Sequence, residues 1–419
     1  MTVPPRFLRP TGVALACAAA VALTVPVALT LGASAASAKT PTTVAVSPKG
    51  SVVVHARGNG HGHGMSQYGA RGAAAQGLSY RKILSFYYRH TSLQKTQDTH
   101  IRVLLSGYGS TTTVSARPAL RLSGRQQPLS TTPARYRLVA GSGSTLTLQQ
   151  LPKGAHASWK TVETGLPNLT AFHAVGWSPV QIFSPDGTSA LYYGRLRAVR
   201  SGSGVETVDK LSIDRYTAGV VPYEMPSSWQ QAAVRAQAVA ARTYGVYAVE
   251  HPRNKHYDIC DTTMCQVYGG YEQRNASNAV TASDYAPAAT ATSDEVLTYR
   301  SQPIFAQFSA SNGGWEDSGG EPYLVSQRDP YDTSASGDPY DSMTEKVSAS
   351  SVASYFGLAK LTGITITGRD GNGAWGGRVV SAKLTGRNSS GGKATVRATG
   401  YDLQYAFGLG TTLYTVAAH

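Results

Sequence analysis

The chain has 419 residues, which is long enough for roughly two or three domains with buried cores. Apolar residues make up 41% and charged residues 15%, a balance that excludes a disordered chain with few apolar residues and many unbalanced charges. Lysine and arginine exceed aspartate and glutamate by 38 to 24, so the formal charge is +14. Such a charge either favours an anionic partner (nucleic acid, a membrane or an acidic polymer) or simply keeps the protein soluble.

Residues 1–38 have the pattern of a secretory signal peptide. Arg6 and Arg9 precede an apolar run at 13–31, and the small residues at 36–38 suit a signal peptidase. The alternative is an uncleaved anchor, because the run approaches the ~20 residues that span a bilayer. We therefore expect an exported protein, secreted to the cell wall or the medium, that meets a membrane only through an uncleaved start. No zinc-finger spacing, basic helix or RNP-like strand accompanies the positive charge, and we expect no nucleic-acid partner.

Further along the chain, strand patterns predominate. Residues 39–54 are rich in Thr, Pro and Ser and predict a flexible lead-in. Residues 55–93 form a Gly/His-rich module that ends in an amphipathic stretch. Between 101 and 416, short alternating runs bounded by Gly, Ser or Pro predict strands, interrupted by one long Ala-rich helix at 227–249. Strands and helix are segregated along the chain, so the predicted fold class is α+β and strand-rich.

The predicted long helix carries two arginines on one face. Pro226 and a capping-box pattern at 227–230 predict that this helix begins at Ser227. Arg235 and Arg242 lie seven positions apart and therefore share a face. They form either a solvated edge of the helix or a pair of cations directed at a substrate, and the pattern leaves both interpretations open.

A carboxylate, Glu224, stands just before this helix. Acidic residues near helix starts commonly complement the helix dipole, which is the structural interpretation of Glu224. Pro222 and Pro226 hold Glu224 on a rigid turn, however, and Trp229 is an aromatic side chain suited to stacking on a sugar. A functional role for Glu224 is the alternative.

Two further segments hold residues that can do chemistry. In "GNGHGHGMSQYGA" (58–70), frequent glycines allow backbone amides to approach a ligand, and His61 and His63 point the same way in an extended loop. An H-x-H pair alone is a weak sign of a metal site. In "HYDICDTTMCQVYGG", Cys260 and Cys265 lie close in sequence, and such cysteines in a secreted protein pair more often than they bind metal.

Four segments together resemble the stage II sporulation protein D (SpoIID/LytB) family. They are "VVPYEMPSSWQQAAVRAQAVAARTYG", "CQVYGG", "FSASNGGWE" and "GNGHGHGMSQYGA". The resemblance covers about 101–416, as a SpoIID-like catalytic domain, and the module at 55–93. It implies peptidoglycan remodelling, because the best-understood members are lytic transglycosylases that leave 1,6-anhydro ends. Others enhance cell-wall amidases, so the alternative is a non-catalytic glycan-binding protein with an amidase as partner.

The resemblance also implies roles for individual residues. Glu224 falls on the family's catalytic glutamate, as acid and then base. A single carboxylate suffices for this chemistry, although folding can bring Glu316 or Asp317 close to it. The residues expected to contact the glycan are Arg235, Arg242, Trp229, Tyr268, Ser309, Ser311, Asn312, His61 and His63. A helix N-terminus and two arginines would favour the charged carboxylate, so burial has to offset them if Glu224 is to donate a proton.

The sequence departs from the family in two respects. The Gly/His-rich module commonly follows the catalytic domain, whereas here it precedes it, and we expect it to pack back near Glu224. Family members with a zinc-like site have a histidine just before the second cysteine, where this chain has Met264, a poor zinc ligand. His256 is the substitute for a site with Cys260 and Cys265. We expect a Cys260–Cys265 disulfide and no cofactor.

Overall fold

Strands make up most of the regular structure in this computed structural model, which describes residues 42–47, 49–97, 99–176, 178–283 and 286–418. The predicted signal peptide lies outside the described residues. The first strands in chain order are β1 (Thr42–Ala45), β2 (Ser51–Ala56), β3 (Met65–Ser66), β4 (Ser92–Lys95), β5 (His100–Leu105), β6 (Thr112–Ser115), β7 (Leu120–Leu122), β8 (Arg135–Ala140), β9 (Leu146–Leu151), β10 (Lys160–Leu166), β11 (Ala171–Ala174), β12 (Val180–Phe183), β13 (Ser189–Tyr192), β14 (Arg195–Ser201) and β15 (Gly204–Ser212). The remaining strands are β16 (Ile259–Cys260), β17 (Glu272–Arg274), β18 (Val280–Ser283), β19 (Glu295–Tyr299), β20 (Gln302–Pro303), β21 (Phe308–Ser309), β22 (Trp315–Glu316), β23 (Gln327–Arg328), β24 (Met343–Ser348), β25 (Lys360–Arg369), β26 (Val379–Arg387), β27 (Lys393–Thr399) and β28 (Tyr414–Ala418).

Helices are fewer, and one of them is much longer than the others. The described α-helices are α1 (Gln67–Ala75), α2 (Tyr80–Tyr87), α3 (Ile213–Glu224), α4 (Gln231–Glu250), α5 (Pro287–Ala291), α6 (Ala349–Tyr355) and α7 (Gly400–Phe407). The Ala-rich α4 has 20 residues. The predicted fold class, strand-rich α+β with one long Ala-rich helix, is confirmed. No helix in the described part of the chain is long and apolar enough to cross a bilayer.

Two large sheets occupy the middle of the chain. One has eight strands in the order β10-β9-β8-β6-β12-β13-β17-β18, and the other has six in the order β16-β5-β15-β14-β11-β7. Pairing in both is antiparallel except where β16 runs parallel to β5. The inward side chains of both sheets, together with α3 and part of α4, form one hydrophobic core. A second core surrounds α1, α2 and the opposite side of α4.

Small side chains allow α4 to pack on both sides. Ala241 belongs to the core between the sheets, whereas Ala233 and Ala240 belong to the core with α1 and α2. Alanine has little bulk, so neighbouring elements approach the backbone of α4 closely. The helix therefore connects the sheets with the Gly/His-rich module.

The described part of the segment at 39–54 forms strands, which corrects the expectation of a flexible lead-in. Where it is described, β1 pairs with β25, and β2 lies between β24 and β28. The side chains of Val52 and Val54 are buried while their neighbours are half-exposed, which is the alternation of a strand with one buried face. Prediction from the Thr/Pro/Ser composition overlooked this alternation. The strands belong to the same compact unit, Thr40–His419, as the rest of the described chain.

Candidate active site

Glu224 is the last residue of α3. Met225 precedes a proline and adopts an extended conformation (φ −140°, ψ 129°), as the steric clash with a following proline ring requires, and so α3 ends there. The helix α4 begins only at Gln231, and its N-cap residue makes no side-chain hydrogen bond. The predicted capping box and helix start at Ser227 are therefore wrong. Glu224 lies at a helix C-terminus, where the dipole disfavours negative charge.

The two carboxylate oxygens of Glu224 have different partners. The backbone N–H of Val267 donates to Oε1 at 2.7 Å. Gln67 Nε2 donates to the backbone oxygen of Glu224 at 3.0 Å and more weakly to Oε2 at 3.4 Å. Because Oε1 is held as an acceptor by a backbone amide, a proton bound to this carboxyl group resides on Oε2.

Burial raises the pKa of Glu224 by more than the hydrogen bonds from Val267 and Gln67 lower it. Among the described residues, neither Arg235 nor Arg242 forms an ion pair with this carboxylate. The conflict expected from the sequence therefore does not arise, because Glu224 ends α3 and neither arginine is among the groups that shift its pKa. A raised pKa is what a general acid requires near neutral pH.

The amide of Val267 is positioned by the segment around it. A disulfide joins Cys260 to Cys265 two residues earlier. The Tyr216 hydroxyl of α3 donates to Gln266 Oε1 at 2.7 Å, and the Gly269 N–H donates to the Gly219 oxygen at 3.0 Å. The motif "CQVYGG" is thereby fixed along α3, with one backbone amide directed at the carboxylate.

Tyr268 is not a cleft residue, in contrast to the expectation. Its side chain is buried in the core, and its hydroxyl donates to Asp209 Oδ2 at 2.8 Å. A Cβ atom on Gly219 would lie 2.6 Å from the Tyr268 ring, which explains the glycine at this position of α3. Tyr268 therefore helps to attach the motif to α3 and has no access to a substrate.

The disulfide also bears on the metal alternative. Both sulfurs are bonded to each other and are not available as thiolate ligands. His256 therefore has no pair of cysteine thiolates to act with. Within the described residues, no three His, Cys, Asp or Glu side chains are arranged to hold a metal ion.

The Gly/His-rich module packs against the loop that carries "NGGWE". The strand β3 pairs in parallel with β21, and Asn59 bridges Ser311. A Cβ atom on Gly60, where φ is +106°, would lie 2.5 Å from the Cβ of Ser309. At this position the glycine thus permits close approach to another part of the same chain, where the sequence predicted approach to a ligand. Immediately after β3, α1 begins with Gln67, the residue that reaches Glu224.

His61 and His63 contact each other within this module. Their ring centroids are 4.7 Å apart, and the His63 N–H donates to His61 Nδ1 at 2.9 Å. Burial, together with His63 and Arg378, lowers the pKa of His61 to about 4, so this ring is neutral. His63 Nε2 lies 3.7 Å from Asp317 Oδ2, which also pairs with Arg378 at 3.7 Å. Arg378 lies outside the sequence motifs and was not predicted to belong to this network.

The three polar residues expected in the cleft at the end of β21 and just after it are buried. Ser311 and Asn312 are fully buried, and Ser309 is 7% exposed. The Ser311 hydroxyl donates to Asp332 Oδ2 at 3.0 Å, and Asn312 Nδ2 donates to Asp329 Oδ2 at 2.8 Å. Ser311 and Asn312 thus hold the loop in place, whereas the buried Ser309 hydroxyl has no hydrogen-bond partner among the described residues. None of the three side chains lines a cleft, which corrects the expectation.

Asp329 and Asp332 tie that loop to the Gly/His-rich module. Ser66, the N-cap of α1, donates to Asp332 Oδ1 at 2.5 Å, and the Tyr87 hydroxyl of α2 donates to Asp329 Oδ2 at 2.7 Å. Both aspartates are buried. They stand in a plain "DPYD" segment with no recognisable motif, and sequence analysis therefore missed them.

The two arginines of α4 have different environments. Arg242 is fully buried, with Nε 2.6 Å from Asp214 Oδ1 and an Nη2 donor to the Ala289 oxygen at 2.9 Å. It cannot contact a glycan, which corrects the expected substrate clamp. Arg235 is half-buried, and its Nε atom is buried without a hydrogen-bond partner among the described residues. Arg235 and Arg242 share a face of α4, as inferred, but the Arg242 end of that face is buried in the core.

An aromatic cluster lies next to Gln67. The rings of Tyr68 and Trp229 have centroids 5.0 Å apart, and the Arg71 guanidinium lies 4.9 Å from the Trp229 ring. Tyr340 packs against Tyr68 with centroids 6.0 Å apart. Trp229 is half-buried, and so part of its surface stays accessible near Glu224.

Glu316 and Asp317 are the carboxylates that folding was expected to be able to bring close to Glu224. In the described part of the chain, neither forms a hydrogen bond with Glu224. Glu316 is buried and accepts a hydrogen bond from Gln327 Nε2 at 2.8 Å, and burial raises its pKa to about 9. At neutral pH Glu316 is therefore protonated and does not serve as a base or nucleophile.

The segment that carries this site matches a known family. Residues 201–299, which include α3, α4 and the disulfide, match the family model SpoIID, described as stage II sporulation protein. The chain thus contains a SpoIID domain, and the resemblance inferred from the motifs is confirmed.

Individual relatives agree with this assignment. The chain is 38% identical over 120 residues to an amidase enhancer of Bacillus subtilis, covering 27% of this chain and 15% of the relative. It is 30% identical over 202 residues to the stage II sporulation protein D of the same organism, covering 44% and 57%. It is 33% identical over 144 residues to the stage II sporulation protein D of Bacillus amyloliquefaciens, covering 30% and 41%. The chain thus spans between 15% and 57% of the length of these three relatives.

Proposed function

We propose that the chain is an exported cell-wall enzyme that cleaves peptidoglycan glycan strands between N-acetylmuramic acid and N-acetylglucosamine as a lytic transglycosylase. The observation that carries the proposal is the half-buried Glu224, whose pKa is raised and one of whose carboxylate oxygens accepts a hydrogen bond from a backbone amide. The SpoIID domain and the likeness to cell-wall relatives support the choice of substrate. The signal-like segment at 1–38 supports export.

The proposed reaction requires one carboxyl group. Glu224 donates its Oε2 proton to the glycosidic oxygen as the bond between the muramic acid C1 and that oxygen breaks. The muramic acid C6 hydroxyl oxygen then bonds to C1, and its proton returns to the Glu224 carboxylate, so no water is consumed and a 1,6-anhydro ring forms. Hydrolytic glycosidases generally need two carboxylates, whereas the proposed reaction needs only one.

Two half-buried side chains are proposed to hold the glycan. Arg235 is half-buried on α4 and forms no ion pair in the described part of the chain, and its guanidinium suits a carboxylate or an N-acetyl oxygen of the sugar. Trp229 is fixed by Tyr68 and Arg71 and offers its remaining surface to a sugar ring.

Product analysis tests this proposal. The mature chain and its Glu224→Gln variant are incubated with purified glycan strands that carry or lack stem peptides, and the ends are identified by mass spectrometry. We expect anhydro ends from the wild type alone, because glutamine keeps the shape of the side chain but has no acidic proton to transfer. A fully active Glu224→Gln variant would overturn the assignment, and ordinary reducing ends would indicate a hydrolase.

The likeness to an amidase enhancer favours a second candidate function, a glycan-binding protein that stimulates a separate cell-wall amidase. This candidate predicts glycan binding without cleavage by the wild type. It also predicts faster turnover by an added amidase, unchanged by Glu224→Gln.

A further inference from the structure

The outward face of the six-stranded sheet carries a row of basic side chains. Along the paired strands, Arg102 of β5 is opposite Lys210 of β15, and Lys210 is opposite Arg195 of β14. On the far side of β14, His173 of β11 is opposite Arg121 of β7. Neighbouring strands lie ~4.8 Å apart, so a row across five strands extends about 19 Å. The intervening residues point into the core, which leaves these basic side chains on the solvent side.

Most of this charge is not neutralised within the protein. Arg102 pairs with Asp258. In contrast, Arg195, Arg197 and Lys210 have neither an ion pair nor a side-chain hydrogen bond in the described part of the chain. Burial and the nearby Arg197 and Arg195 lower the pKa of Lys210. Like charges on facing strand positions destabilise a sheet, so this arrangement does not stabilise the fold.

The basic row borders a recess in the surface. A cavity of about 620 Å³ is lined by Arg195, Lys210 and His173, together with Tyr193 and Arg215. The Arg215 guanidinium lies 4.4 Å from the Tyr193 ring centroid. A second recess of about 270 Å³ lies among His100, Arg195, Arg197 and Lys210. Concave surfaces of this kind suit a flexible chain better than the flat surface of a bilayer.

The recess is distinct from the candidate active site but is joined to it by α3. Asp214 and Arg215, at the first turn of α3, line the larger cavity, whereas Glu224 ends the same helix. Asp214 and Glu224 are ten positions apart in the helix, which corresponds to about 15 Å. The ion pair of Asp214 with the buried Arg242 fixes the first turn of α3 relative to the core.

We propose that this basic face binds a linear polyanion that carries phosphodiester groups. Repeated single charges along a chain match a row of separate cations, and the fork of a guanidinium matches phosphate oxygens. Binding there retains the protein on an anionic polymer while Glu224 stays accessible. The proposal does not depend on catalysis at Glu224.

The test compares two triple variants that lose the same charge. One is Arg195→Gln/Arg197→Gln/Lys210→Gln, and the control replaces exposed basic residues on β26 and β27, as Lys383→Gln/Lys393→Gln/Arg397→Gln. Binding to poly(glycerol phosphate) is measured by fluorescence anisotropy at low and high salt. We expect roughly tenfold weaker binding for the first variant and about the wild-type Kd for the control, with binding lost at high salt. Equal weakening in both variants, or none in the first, overturns the proposal.

Two further probes distinguish other anions. Tighter binding to phosphatidylglycerol vesicles than to poly(glycerol phosphate) would make the face a membrane-binding surface. Equal binding to poly-glutamate and poly(glycerol phosphate) would show that phosphodiesters are not selected. Either result overturns the proposal. The melting temperature of the first variant should equal or exceed that of the wild type, because repulsion is removed. If this variant does not fold, the single variant Arg195→Glu, at an exposed position, is measured in its place. We expect the same weakening of binding, and binding at the wild-type Kd would contradict the proposal.

Discussion

Replacing the two arginines of α4 one at a time separates a structural role from a role in substrate binding. In Arg242→Gln, the side chain no longer pairs with Asp214 or donates to the Ala289 oxygen. In Arg235→Gln, no ion pair of the described chain is lost. The two substitutions are chemically identical, lie on one helix, and therefore control for each other.

The loss of stability expected for Arg242→Gln follows from the burial of its ion pair with Asp214. Removing one partner of a buried ion pair destabilises a protein by about 3–5 kcal/mol. Arg242 is fully buried, but the Asp214 side chain is 34% exposed and regains some hydration, which places the expected loss near 3 kcal/mol. A unit the size of Thr40–His419 has an unfolding entropy of about 0.8 kcal/mol/K, so its melting temperature should fall by about 4 °C.

Differential scanning calorimetry measures this shift, and glycan turnover is assayed on the same samples. We expect Arg235→Gln to melt within about 1 °C of the wild type and to raise KM, because its effect falls on the substrate. A variant Arg242→Gln with wild-type melting temperature but lost turnover would refute the structural role and restore the clamp implied by the family resemblance.

Two further predictions concern the groups that position and tune Glu224. The hydrogen bond from Gln67 lowers the pKa of Glu224, so Gln67→Ala should raise that pKa further and keep the acid form to higher pH. The alkaline limb of the kcat/KM profile should therefore move to higher pH, and an unmoved limb would contradict a titrating Glu224. Opening the disulfide in Cys260→Ser/Cys265→Ser should lower stability by about 2 kcal/mol, from the entropy of a short loop, and should reduce turnover because the Val267 amide loses its anchor. Thr263→Ala, an exposed substitution in the same loop, is the control. If the variant without the disulfide has the same turnover as this control, the disulfide does not position the Val267 amide.

The sequence by itself located the segments that matter. Alternating apolar runs predicted several strands of both large sheets, and the Ala-rich run predicted α4, because period and composition are local properties. The motif around Glu224 led to the candidate acid, and the family resemblance to its role. Close spacing of Cys260 and Cys265, in a chain that begins with a signal-like segment, led to the expectation of a disulfide.

The boundaries of helices and the burial of individual side chains were predicted less well from the sequence. The start of α4 was placed too early because the Ser/Gln pattern at 227–230 resembles a capping box, whereas the chain forms a turn there before the helix begins. Burial depends on which elements pack around a residue. Arg242 and Tyr268 belong to recognisable motifs and are nevertheless in the core.

Only the tertiary structure decided which groups meet at Glu224. Gln67 is 157 positions away in sequence and reaches the carboxylate because the Gly/His-rich module packs back on α4. Val267 acts through its backbone amide, which no side-chain pattern reveals. The basic row on the outer sheet face likewise exists only in the register of five strands drawn from distant parts of the chain. Local patterns determine elements because a helix or strand is stabilised mainly by near neighbours in sequence, whereas a site depends on contacts between residues that only the folded chain brings together.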